Sequence, residues 1–301
     1  MREGSTSPLA GEMQGPPDQV ATAQFDFSKF AQVPWPCSGR VPDGEARRAG
    51  LVRTCPAMRW PLLALVALTA CRADAEPEET AWHLGTGPKV QVTGKAFVFG
   101  PSGGSLVGAT VSVAEAPEIK TTVGTDGTFA LSVPSGGEAS FVVSQPGFHD
   151  TQSATFLLGA GGLDQVGFQV PTDGIFDFFS RLVKMEPDPE LCQIVSTVSR
   201  AGTAPYGGDA LGEPGVIVAL EPPIGPDHGP VYFNWIKPDV ILPDPTLKVT
   251  TIDGGVIFTN VPPGEYQMTA TKTGKRFTSV KLRCRKGLLV NAAPPRGLQE
   301  I

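Results

Sequence analysis

Histidine, tyrosine and charge are all scarce in this 301-residue chain, which carries three histidines, three tyrosines and 18% charged side chains. His83, His149 and His228 stand far apart, and no two share a metal-ligand spacing. No His-Glu-x-x-His motif or phosphate loop is present either. A two-histidine, two-tyrosine iron site is also unsupported, because Tyr206, Tyr232 and Tyr266 are spread over different segments. No catalytic residue, metal or cofactor is therefore expected. The net charge of −6 and the lack of a clustered basic surface argue against nucleic acid, whose phosphates need one. The densest basic stretch, Lys281 to Lys286, alternates charge with Leu282 and Cys284 and reads as a solvated strand face.

Long apolar runs are missing too. The strongest, Trp60 to Ala70, is about 11 residues, against roughly 20 for a bilayer-spanning helix. That length suits a signal-peptide h-region of about 7–15 residues, with Arg59 as the positive flank. Glycine and proline, in contrast, are abundant at 36 and 30. They separate short bursts of Val, Phe and Thr, which is the pattern of an all-β protein with many turns.

The apolar run ends in Leu68-Thr69-Ala70-Cys71, which resembles the bacterial lipobox. The resemblance implies lipidation at Cys71, with a membrane as partner, since several acyl chains anchor stably where one does not. Arg72, where sorting by analogy would need aspartate for retention, points to the outer membrane. A leader at 58–70 leaves residues 1–57 upstream of it. They show no sustained periodicity and read as a disordered extension or as a mis-assigned start, the true start being Met58 or a codon near Leu51 or Val52. Residues 71–88, rich in Glu, Ala, Gly and Pro, read as a flexible tether.

Of five cysteines, Cys37 and Cys55 precede the cleavage point and Cys71 is the lipid site. That leaves Cys192 and Cys284, for which an exported chain predicts a disulfide.

A weak repeat spans the rest. Gly108-Ala-Thr-Val-Ser-Val113 matches Gly215-Val-Ile-Val-Ala-Leu220, Asp126-Gly127 matches Asp253-Gly254, and Val133-Pro134 matches Val261-Pro262. Asp-Gly between apolar runs predicts tight turns, and Val-Pro predicts strand ends. Alternation in Glu265–Thr271 places Tyr266, Met268 and Ala270 on one face. The order of landmarks from Gly94 to Phe148 resembles the carboxypeptidase regulatory-like (prealbumin-like) β-sandwich, with a looser second copy interrupted between Pro222 and Lys248. The resemblance implies two antiparallel sandwiches, at 89–171 and 189–295, with a tail at 296–301. It also implies an accessory, binding or spacer role, some related sandwiches binding carbohydrate.

Between the copies, residues 172–188 predict a short amphipathic helix joining them. Ile175, Phe178, Phe179 and Leu182 form its apolar face, Thr172 or Asp173 caps it, and Pro187 and Pro189 end it. A membrane-surface helix is the alternative, but Arg181 and Lys184 are its only basic residues. Asp126, Asp253, Asp239 and Asp244 could be cast as calcium ligands, but each Asp-Gly stands alone and reads as a turn.

The candidate ligand-binding residues are Tyr232, Phe233 and Trp235, in the proline-rich insertion. The competing reading, that Val231–Ile236 is a core strand, ranks ahead. The expected function is a non-catalytic, lipid-anchored envelope module that binds a glycan or an envelope protein, or serves structurally. An accessory or cryptic hydrolase is the alternative.

Overall fold

The computed structural model describes residues 82–100, 103–203, 212–237 and 240–301. The predicted leader, Cys71 and the upstream extension lie outside the described residues, as does Asp239. Among the described residues no helix is long and apolar enough to cross a membrane.

Nine strands come first: β1 (Lys89–Val98), β2 (Thr110–Val113), β3 (Ala116–Thr122), β4 (Thr128–Pro134), β5 (Glu138–Ala139), β6 (Phe141–Ser144), β7 (Thr151–Ser153), β8 (Phe156–Leu157) and β9 (Leu163–Val170). Helix α1 (Asp173–Leu182) follows. Eight more strands follow among the described residues: β10 (Cys192–Thr197), β11 (Ile217–Glu221), β12 (Val231–Lys237), β13 (Val240–Asp244), β14 (Gly255–Val261), β15 (Gly264–Thr271), β16 (Val280–Cys284) and β17 (Leu289–Ala292).

The two halves repeat one topology. In the first, β1 lies between antiparallel β4 and parallel β9, and this sheet faces β7-β6-β2-β3. In the second, β10 lies between antiparallel β14 and parallel β17, and faces β11-β15-β16. The period-2 pattern dictates what each strand buries: Phe129, Leu131 and Val133 of β4, and Tyr266 and Met268 of β15, point inward. Val92, Val111, Phe141 and Phe168 fill the first core, and Ile194, Phe258, Met268 and Leu282 the second. Each such side chain contributes roughly 1.5–3 kcal/mol on burial. The matched Asp-Gly turns work alike, with Gly127 at φ 80° and Gly254 at φ 74°, a region that penalises a Cβ.

The insertion in the second half is a hairpin, not a loop. β12 pairs with β14 and with β13, so it extends the sheet outward. At the opposite edge, β17 pairs in parallel with β7 of the first half. The result is one nine-stranded sheet, β13-β12-β14-β10-β17-β7-β6-β2-β3, that runs through both sandwiches.

Thr172 caps α1, its Oγ1 accepting from the Ile175 amide at 3.2 Å. The helix packs by a face one residue away from the expected one. Phe178 and Leu182 are 43% and 36% exposed, whereas Phe176, Phe179, Ser180 and Val183 turn inward, at the same i, i+3, i+4, i+7 spacing. Phe176 stacks on His149 with centroids 3.6 Å apart, and Phe179 meets Phe99 of the first half at 5.8 Å and Phe233 of the second at 5.6 Å. Aromatic partners on both sides, which the helix sequence does not contain, decide the rotation.

Candidate functional site

The proposed aromatic trio is not an exposed platform. Tyr232 and Phe233 are 1% and 4% exposed. Tyr232 points into the second core, where its hydroxyl accepts from the Val218 amide at 3.0 Å, and burial pushes the phenol above its ordinary pKa. Phe233 points the other way but is covered by Phe179. Both faces of β12 are therefore buried at this point, which a one-sided strand reading misses. Trp235 is half-buried and pairs across the hairpin with Ile241, leaving Ile236, at 55%, as the exposed apolar residue of the strand.

The structure gathers its polar chemistry at the seam between the sandwiches. Arg283 is buried, its guanidinium meeting Glu115 at 2.9 Å, Glu138 at 2.6 Å and Glu265 at 3.0 Å. Arg285 joins the same Glu115 oxygen at 2.7 Å and the Gln152 side chain at 2.5 Å. Lys281 adds Glu138 at 2.7 Å. Hydrogen bonding to Glu138 raises the Lys281 ammonium against the opposing effect of burial. Burial works to raise Glu265 as well, but bonds from Arg283 and Lys281 outweigh it and hold the carboxyl low. Glu115 and Glu138 come from the first half and the basic groups from the second, so this network is interdomain. The expected solvated face at Lys281–Lys286 is thus corrected: β16 lies against the first sandwich, and Lys286 alone of that stretch pairs at the surface, with Glu190.

Backbone bonds reinforce the seam. The Thr155 amide donates to Lys281 O at 2.9 Å, Gln152 Nε2 to Arg283 O at 2.6 Å, and Asn291 Nδ2 to Gln169 O at 2.9 Å. Thr151, Gln152 and Ser153 are polar yet all buried, because β7 is an interior strand only when β17 is present. The Cys192–Cys284 disulfide closes beside it, with Cα atoms 5.8 Å apart. It ties β16 to β10, the two sheets of the second sandwich.

A strap completes the seam. The expected tether is docked over its last residues: the Gly87 amide donates to Ser135 O at 2.9 Å, and Ser135 Oγ to Pro88 O at 2.8 Å. Trp82 lies over Arg285 and Arg283, 4.7 and 5.4 Å from ring centroid to guanidinium carbon.

His149 sits at a second feature that sequence reasoning passed over. An open cleft of about 570 Å³ is walled by Ser144, Gln145, Phe148, His149, Asp150 and Asp173, among others. Burial lowers the His149 pKa, opposed by the carboxylates of Asp173 and Asp150. His228 instead bonds Thr259 O at 3.0 Å in a 3₁₀ turn, and His83 is exposed in the strap. Gly100-Pro101-Ser102-Gly103-Gly104 spells the Gly-x-Ser-x-Gly pattern between β1 and β2, but no helix follows it among the described residues before β2, and Ser102 lies outside them. Asp126 and Asp244 close local turns by accepting from the Thr128 and Thr246 amides at 3.0 and 2.9 Å.

No protein-family model matches the chain, and no curated protein matches it. Among solved structures it is similar to the shaft pilin SpaA from Lactobacillus rhamnosus GG, at 11% identity over 70% of this chain and 97% of that one, with a TM-score of 0.20. The minor pilin GBS52 from Streptococcus agalactiae aligns at 9% identity over 70% and 96%, with a TM-score of 0.21. The Bacillus anthracis TIE protein aligns at 10% over 70% of this chain, with a TM-score of 0.22, and the chain spans 34% of its length. Likeness at this level transfers no function.

Proposed function

We propose that this chain is a non-catalytic structural or binding module of the bacterial envelope, held at the membrane by lipid on Cys71. The observation that supports it best is the seam: one sheet and one buried ion network cross from sandwich to sandwich. A buried network of this kind fixes geometry more than it adds stability, and a fixed spacing between two sandwiches is useful to a spacer or a presenting scaffold. The lipobox pattern and the scarcity of catalytic motifs point the same way. An envelope protein is a better-supported ligand than a glycan, because burial of Tyr232 and Phe233 leaves Trp235, half-buried, as the one member of the aromatic trio near solvent.

The deciding experiment is mass analysis of the native protein from a detergent-extracted membrane fraction, with small-angle scattering of the extracted chain. An acylated N-terminal Cys71 and a single rigid particle are expected. A soluble, unmodified chain, or scattering from two independently moving bodies, overturns the reading. The hydrolase alternative rests on the His149 cleft alone, and activity lost in His149→Ala against a broad substrate panel is the result that would favour it.

A further inference from the structure

Residues 82–88 rest on one sandwich while their first residue covers the arginines of the other. The strap is fixed to the first half by three hydrogen bonds, Gly87 N to Ser135 O, Ser135 N to Pro88 O and Ser135 Oγ to Pro88 O, and by Leu84, which packs on the first core. It approaches that half closely: a Cβ on Gly85 would stand 2.2 Å from Ser135 O, so only glycine fits. Trp82 then lies over Arg283 and Arg285, both contributed by the second half and both bonded to Glu115 of the first. Its indole Nε1 is buried with no hydrogen-bond partner among the described residues. The ring is thus placed by its face over the cations, not by its polar edge. A ring in this position also excludes water from the guanidinium–carboxylate contacts, which strengthens them.

We infer that the strap is a clasp on the interdomain seam: Trp82 holds the Arg283–Glu115–Arg285 network shut, and lifting residues 82–88 loosens the second sandwich from the first while each keeps its own core. Trp82, the first described residue, lies at the joint between the sandwiches, so a pull on the segment upstream of it acts first on this joint. The coupling does not depend on whether Cys71 carries lipid.

The test is amide hydrogen exchange on the full chain with two variants that reach the clasp from opposite ends. Trp82→Ala removes the cover, and Gly85→Val lifts the strap by its clash with Ser135 without touching the arginines. Both are expected to speed exchange about tenfold at seam amides, Thr155 and Leu289, as loss of a partly desolvated cation–π contact implies. Amides inside β6 and β15 keep their wild-type protection, and Trp82→Phe restores most of the seam protection. Unchanged seam exchange in either variant, or a uniform rise across β6, β15 and the seam, overturns the inference. A uniform rise would make the strap a part of the first core instead.

Discussion

The two sandwiches share a strand order but not a way of holding it. The first relies on a plain apolar core, with no cysteine among its described residues. The second adds the Cys192–Cys284 bridge, a hairpin that widens one sheet, and the buried phenol of Tyr232. The matched turns show the difference at one residue. Asp126 is exposed, and hydrogen bonds from the Thr128 hydroxyl and amide lower its carboxyl pKa. Asp253, at the equivalent place, lies against Gly255 beside the Phe233 ring, and burial raises it to about 6. The inserted hairpin brought Phe233 to that turn. One topology therefore tolerates opposite electrostatics at the same position, because the turn needs the glycine's φ more than the carboxylate's charge.

Four changes would break or sharpen this contrast. The largest effect is expected from Cys192→Ala with Cys284→Ala, which frees a loop spanning 92 residues and costs on the order of 4–5 kcal/mol on chain-entropy grounds. Urea unfolding should show the loss in the second sandwich, with amide-exchange probes in the first lagging behind. Next, Glu115→Gln leaves Arg283 and Arg285 short of a buried counter-charge and should cost about 3–5 kcal/mol, read as a lower denaturation midpoint. If equal loss came from an exposed control pair such as Glu190–Lys286, the seam would hold no special place.

The third change concerns pH. Below about pH 3 the Asp253 carboxyl is protonated in both folded and unfolded chains and contributes nothing. As pH rises through 6 the unfolded chain releases its proton first, so the folded state binds more protons and stability falls, by about 3 kcal/mol in all. Asp253→Asn should flatten that fall and stabilise the protein at pH 7. Asp126 is shifted the other way, so Asp126→Asn should leave the decline between pH 4 and 6 intact. Thermal melts at several pH values compare the two. The smallest effect, about 1–2 kcal/mol, is expected from Tyr232→Phe, which leaves the Val218 amide without its acceptor.

Much of the fold was legible because turns and strand periodicity are local. Asp126-Gly127, Asp253-Gly254, the face of β15 and the Cys192–Cys284 pairing could be read from residue type and order. The seam could not. Lys-Leu-Arg-Cys-Arg-Lys alternates in the same way whether its arginines face water or Glu115, and Thr151-Gln152-Ser153 looks like a polar edge until β17 covers it. The packed face of the helix differs by one position from the expected one because Phe176 and Phe178 are equally apolar, and the stacking of Phe176 on His149 distinguishes them. Tyr232 and Phe233 lie in the core strand that ranked ahead of an exposed loop, but burial on both of its faces at that point is not legible in alternation, because the Phe179 ring that covers Phe233 comes from another element.

The pairing of β7 with β17 also sets an order in time. β17 is made long after β7, and it supplies the edge that β7 has lacked since about 140 residues earlier in the chain. Until Arg283 emerges, Glu115 has only the Ser140 amide, at 2.9 Å, to meet its buried charge. The first sandwich is therefore completed from outside itself, and becomes fully native only after β16 and β17 have been synthesised.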